Sequence, residues 1–211
     1  MTNECNAVQS VTTMTSRIEK DLEKVSRCGF NIRYVKKQTP EICLEAVRQN
    51  GKALAYVNEQ TPEICLAAVN QHEGALMYVK DKTEEICLVA IRKNGTVLMW
   101  IDSPTEEMYL AAVRQNGYAL KDVKDQTDEM GLIAVRQSGD VVVWVDNQTE
   151  EICLEAIKQN AKAFRGIREQ TEAICLEAIR RDHRNMKYVK DQTPVIWEAA
   201  IESYKNAVRR V

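Results

Sequence analysis

The chain has 211 residues, 45% of them apolar and 28% charged, with a formal charge of −2. That balance is ordinary for a soluble folded protein and too apolar for a disordered one; a charge so near zero argues against general nucleic-acid binding, which usually shows as a strongly basic domain. No apolar run approaches the roughly 20 residues that cross a bilayer, so no membrane association is expected and the expected location is cytoplasmic.

From the N-terminus, residues 1–16 are a polar, Thr- and Ser-rich segment without the charged start and apolar stretch of a signal peptide. From residue 17 the chain is one repeat. Threonines stand at Thr39, Thr61, Thr83, Thr105, Thr127, Thr149, Thr171 and Thr193, always 22 residues apart. With each threonine as position 1, position 8 is Ala in all eight repeats and position 6 is Leu in seven. Positions 9 and 19 are always Val or Ile, down to Val211. Setting Gly29 against Gly51 places Leu22, Val25, Ile32, Tyr34 and Val35 on the same apolar positions, so residues 17–38 read as an N-terminal cap repeat. Residues 193–211, where Trp197 and Glu198 replace the usual Cys-Leu pair, read as the C-terminal cap. The expected fold is all-α: a single α-solenoid domain over residues 17–211, built of nine 22-residue repeats that share one core because none is large enough to own one.

Within a repeat, the threonine is a helix N-cap, followed by Pro or an acid (Pro40, Pro62, Glu84, Glu106) that suits the first helical turn. Apolar residues at positions 4, 5, 8 and 9 give an inward stripe of helical period. Arg or Lys at position 10 in six repeats, from Arg48 to Arg180, lies near the negative end of the helix dipole. Asn50-Gly51, Asn94-Gly95 and Asn116-Gly117 then close the helix, with the glycine expected to take a left-handed turn. Positions 14 to 20 are too short for an independent helix, and their apolar spacing predicts one or two turns of α or 3₁₀ helix.

The run Glu63-Ile64-Cys65-Leu66-Ala67-Ala68-Val69, followed by Ala75-Leu76-Met77-Tyr78-Val79, resembles the Leu/Ala-Val…Asn-Gly…Leu-x-Tyr tandem repeats of a domain family of unknown function in bacterial, phage and giant-virus proteins. The resemblance extends over residues 17–211 and departs from the family in its strict 22-residue spacing, where slightly longer repeats are expected. Leucine-rich variant repeats, which alternate an α-helix with a 3₁₀ helix, are similar in geometry. What the resemblance implies is a viral or phage protein directed at a host factor in the host cytoplasm; it carries no activity and no catalytic residues.

Cys43, Cys65, Cys87, Cys153 and Cys175 all occupy position 5. Equivalent positions on stacked helices lie about 8–10 Å apart, beyond disulfide reach, and no CxxC or His partner accompanies them. They read as small buried hydrophobes, and all seven cysteines are expected to be reduced. His72 and His183 fall in turns five repeats apart and share no site. There is no Gly-rich phosphate loop, nucleophile elbow or HExxH motif. No catalytic residue, metal site or cofactor is therefore expected, and the chain is read as a non-enzyme.

Two surface patterns remain. Position 18 carries Tyr56, Tyr78, Trp100, Trp144 and Tyr188, with Tyr34 ahead of them; Asp122 and Gly166 break the row. The row is read as half-buried rings packing between repeats, with an aromatic groove as the functional alternative. Positions 14, 17 and 20 share a face of the second segment. In two successive repeats they are all basic, Lys162, Arg165 and Arg168, then Arg184, Lys187 and Lys190, and Gly166 leaves the aromatic slot beside them open. A grid of six cations in a slightly acidic chain points to an anionic partner. The leading reading is a binding scaffold for a protein partner. A nucleic-acid or nucleotide binder using the basic C-terminal repeats is the second reading, and an enzyme of unrecognised type the third.

Overall fold

A computed structural model describes residues 17–209; the polar segment 1–16, Cys5 within it, and Val211 lie outside them. A helix, α1, covers residues 17–27 and leads into the 3₁₀ helix η1 (Gly29–Tyr34). Then come α2 (Pro40–Gln49), η2 (Gly51–Tyr56), α3 (Pro62–Gln71), η3 (Glu73–Tyr78), α4 (Glu84–Lys93) and η4 (Gly95–Trp100). They are followed by α5 (Glu106–Gln115), η5 (Gly117–Asp122), α6 (Asp128–Gln137), η6 (Gly139–Trp144), α7 (Glu150–Gln159), η7 (Ala161–Gly166), α8 (Glu172–Arg181), η8 (His183–Tyr188) and α9 (Pro194–Val208). The fold class is thus the all-α solenoid that the period predicts, with no strand among the described residues. No helix there is long and apolar enough to cross a membrane.

The chain divides into two compact halves, Met1–Ser103 and Pro104–Val211. In the first, α2, α3 and α4 pack in sequence and η1 to η4 follow one another beside them. In the second, α5 to α9 and η5 to η8 do the same. Every N-cap threonine uses its hydroxyl as expected: Oγ1 accepts the position-4 amide, as in Thr61 to Ile64 and Thr149 to Ile152, both 3.3 Å. The inward stripe is also as expected. Ile42, Cys43, Ala46 and Val47 are buried from α2, and Ala53, Leu54 and Val57 from the segment after it.

Three local expectations need correction. The second segment spans positions 13 to 18 and is 3₁₀ in every repeat but the last, starting one residue and ending two residues earlier than the apolar spacing suggested. No described residue has a positive φ, so the Asn-Gly pairs make no left-handed turn. Asn50 is extended (φ −153°, ψ 110°), and its Oδ1 accepts from the Lys52 amide at 3.0 Å, capping the 3₁₀ helix rather than closing the α-helix. Glycine at position 13 answers to space instead: a Cβ on Gly51 would run into the carbonyl oxygen of Ala68 on the next helix, as would one on Gly29 into Ala46 and on Gly139 into Ala156. Into the same gap Gln71 directs its Oε1 to accept from the Gly51 amide at 2.6 Å. The last repeat differs most. It has Tyr204 and Lys205 where other repeats turn, and α9 continues as one helix of 15 residues instead of breaking after 10.

One recurring link between repeats is not revealed by apolar periodicity. Gln38, Gln60, Gln126, Gln148 and Gln170, each just before the N-cap threonine, bind the following repeat's backbone with both ends of the amide. Nε2 donates to the position-18 carbonyl at 2.9–3.0 Å. Oε1 accepts from the position-20 amide at 2.8–3.1 Å. The segment after each 3₁₀ helix has extended backbone and no strand partner, and the glutamine supplies the partner it lacks.

Candidate binding surface of the C-terminal half

The six cations read from the sequence are all exposed, but they do not act as one grid. Position 20 proves structural. Arg168 donates through Nη2 to the carbonyls of Val145 (2.8 Å) and Asp146 (2.6 Å) in the preceding repeat. Lys190 donates through Nζ to the Arg168 carbonyl at 2.8 Å, and in the other half Lys80 makes the same bond to Asn58 at 3.0 Å. These side chains clamp one turn to the next. Arg184 is also engaged: its Nε and Nη2 donate to the two oxygens of Asp182 at 2.9–3.2 Å. That contact, with the Arg184 backbone amide, holds the Asp182 carboxyl below its ordinary range and the Arg184 guanidinium above its own.

Lys162, Arg165 and Lys187 remain without a carboxylate partner among the described residues. Burial of Ala163 and Phe164 in η7 forces Lys162 and Arg165 outward, and Asn160 Oδ1 fixes the start of that helix by accepting from the Lys162 amide at 3.0 Å. In η8 the inward residue is Asn185, whose Nδ2 donates to the carbonyls of Ala161 (3.0 Å) and Ala178 (3.1 Å). This ties η8 to η7 and α8, and so sets the two basic segments side by side. Arg165 lies over the Tyr188 ring with Cζ 4.8 Å from its centre, and Lys187 Nζ is 5.0 Å from the same centre. The open slot expected at Gly166 is filled: a Cβ there would collide with Val143, which packs against the glycine.

A concavity of about 540 Å³ lies beside Lys162, where the end of α8, η8 and α9 meet. Arg180, Arg181, His183 and Arg184 line it with Lys162, and Asp182 is the only carboxylate among its lining residues. Arg181 is held by Glu177 at 2.6 Å and by the Lys158 carbonyl at 2.9 Å, whereas Arg180 has no such partner among the described residues. Sequence reasoning passed over Arg180 and Arg181, because a cation at a helix end is explained by the dipole alone. The doubled Arg180-Arg181 next to a basic second segment was the available signal.

The aromatic row is not a continuous ladder. No two position-18 rings touch among the described residues; the rings meet side chains from position 14 or 17, either of the repeat before or, for Arg33 on Tyr34 and Lys187 on Tyr188, of the same repeat. Phe30 meets Tyr56 edge-on at 6.1 Å, Tyr118 meets Trp144 at 5.7 Å, and Arg165 covers Tyr188. Tyr78, Trp100 and Tyr188 are half-buried, and Tyr34, Tyr56 and Trp144 more exposed. The position-5 thiols are buried, and burial pushes each up from its ordinary value, Cys153 to about 11. His72 caps η3, its Nδ1 accepting from the Gly74 amide at 2.9 Å, and His183 stands edge-on to Tyr204 at 5.3 Å. No group of three metal-ligating side chains occurs among the described residues.

One family model matches the chain, a domain of unknown function (DUF4116), over residues 22–60. That stretch runs from α1 to the end of the second repeat's link and includes Gln38, Thr39 and Gly51, the residues that join one repeat to the next. No curated protein and no solved structure matches.

Proposed function

We propose that the chain is a non-enzymatic binding scaffold whose C-terminal half takes an acidic segment of a protein partner. The observation that carries this reading is the concavity beside η7, α8 and α9. Four cationic side chains, Lys162, Arg180, Arg181 and Arg184, converge there against a single lining carboxylate. Such a site favours a flexible anionic segment, because long basic side chains adapt to spaced carboxylates and the surface presents few apolar anchors. Arg165 and Lys187 extend it across Tyr188.

The half-buried ring of Tyr188, flanked by those two cations, favours a second reading, a single-stranded nucleic acid with a base stacked on the tyrosine. Fluorescence anisotropy separates the two. A labelled glutamate-rich peptide and a labelled single-stranded oligonucleotide are titrated against the protein and against the Arg165→Glu, Lys187→Glu double variant. Preferred binding of the peptide, lost in the variant with its circular dichroism unchanged, and weakened steeply as salt rises past about 0.1 M, supports the first reading. Preference for the oligonucleotide supports the second. Affinity that ignores both the double variant and salt removes the surface from consideration.

A further inference from the structure

The last helix carries an apolar face that nothing covers among the described residues. Trp197, Ile201, Tyr204 and Val208 of α9 are 48%, 51%, 57% and 56% exposed. One repeat earlier, the residues equivalent to Trp197 and Ile201 are Cys175 and Ile179, both buried in a helix against which α9 packs. Tyr204 and Val208 join the face because α9 runs on where other helices turn. The four residues are spaced 4, 3 and 4 apart, the spacing of a two-helix coiled-coil seam. Trp197 and Tyr204 take the d positions, and the β-branched Ile201 and Val208 take the a positions.

The flanks indicate what fits against the seam. On one side lies the body of the chain, with Ala200 only 7% exposed and His183 against Tyr204. The other side carries Glu198 and Lys205, one heptad apart, both exposed and neither in an ion pair among the described residues. An antiparallel pair of such helices brings the two flanks of this kind together, and the opposite charges at its two ends make the surface self-complementary, as a two-fold interface requires.

We propose that α9 pairs antiparallel with α9 of a second copy of this chain. Trp197 then lies over Val208 of the second copy and Ile201 over its Tyr204, and Glu198 of each chain faces Lys205 of the other. A parallel pair would instead set Glu198 and Lys205 against the alanine flank and leave both charges without a partner. A helix of 15 residues is about 22 Å long. Two of them bury a total on the order of 1,000 Å², at the lower end of specific interfaces, so the dimer is reversible and concentration-dependent.

Analytical ultracentrifugation of the full chain over a concentration series tests this, with circular dichroism to confirm folding. The parent is expected to shift from monomer to twice its mass as concentration rises, and Ile201→Asp to remain monomeric. Glu198→Lys alone and Lys205→Glu alone should each weaken the dimer about tenfold, since symmetry duplicates every contact, and combining them should restore it. These two residues are exposed, so the charge variants keep the fold if Ile201→Asp does not. A parent that stays monomeric throughout overturns the proposal, as does a dimer that survives Ile201→Asp. A dimer indifferent to both single reversals overturns the antiparallel arrangement.

Discussion

Replacing Gln148 by alanine tests how the repeats are joined. Its Nε2 donates to the carbonyls of Val142 (2.8 Å) and Gly166 (3.0 Å), and its Oε1 accepts from the Arg168 amide at 2.8 Å. The first of these bonds closes the glutamine's own repeat and the other two hold the next. A hydrogen bond contributes about 1 kcal/mol net, so three set an upper value of about 3 kcal/mol. Arg168 is exposed and Gly166 half-buried, so water takes over part of what the alanine variant abandons, and the expected loss is about 2 kcal/mol. Gln148→Glu should be worse than alanine at neutral pH, because a carboxylate cannot donate and would face two carbonyl oxygens at close range. Urea unfolding followed by circular dichroism measures both. The converse change is Lys82→Gln, at one of the two links that lack the glutamine; it offers a staple to Trp100 and Asp102 and should stabilise the N-terminal half by about 1 kcal/mol. If Gln148→Ala lies within about 0.5 kcal/mol of the parent, or glutamate is as well tolerated as alanine, the glutamine bonds follow the stacking of repeats and do not sustain it.

Gly51→Ala should destabilise by about 2 kcal/mol or more, since its Cβ meets the Ala68 carbonyl of the next helix and neither backbone can move alone; a neutral result in thermal unfolding would mean that the repeats separate easily. The Cys153 thiol should resist labelling below pH 9. Its folded-state pKa, pushed up to about 11 by burial, lies above the ordinary thiol value of about 8.5, so the unfolded chain releases that proton first. The stability this thiol contributes is complete below about pH 8.5 and declines as pH rises toward 11, a loss that Cys153→Ala should reduce in alkaline urea titrations; an unchanged alkaline slope would refute the assignment.

Sequence alone determined the repeat, its 22-residue length and the helix within it. Those features are local: a threonine hydroxyl reaches the amide three residues on, and apolar residues at positions 4, 5, 8 and 9 face one way on any helix. The same locality explains the buried thiols, because position 5 lies on that stripe. What tertiary structure decided involves groups about one repeat apart in the chain. Gln38 and Asn58 meet only when two repeats stack, so a recurring Gln-Thr looked like a turn and an N-cap. Gly51 looked like a left-handed turn because Asn-Gly so often is one, whereas the constraint is a carbonyl 17 positions away. The basic grid divided for the same reason. Lys162 and Arg165 lie on η7, whereas Arg168 stands past its end and reaches the carbonyls of the repeat before it, and that contact separates a clamp from cations left free to bind.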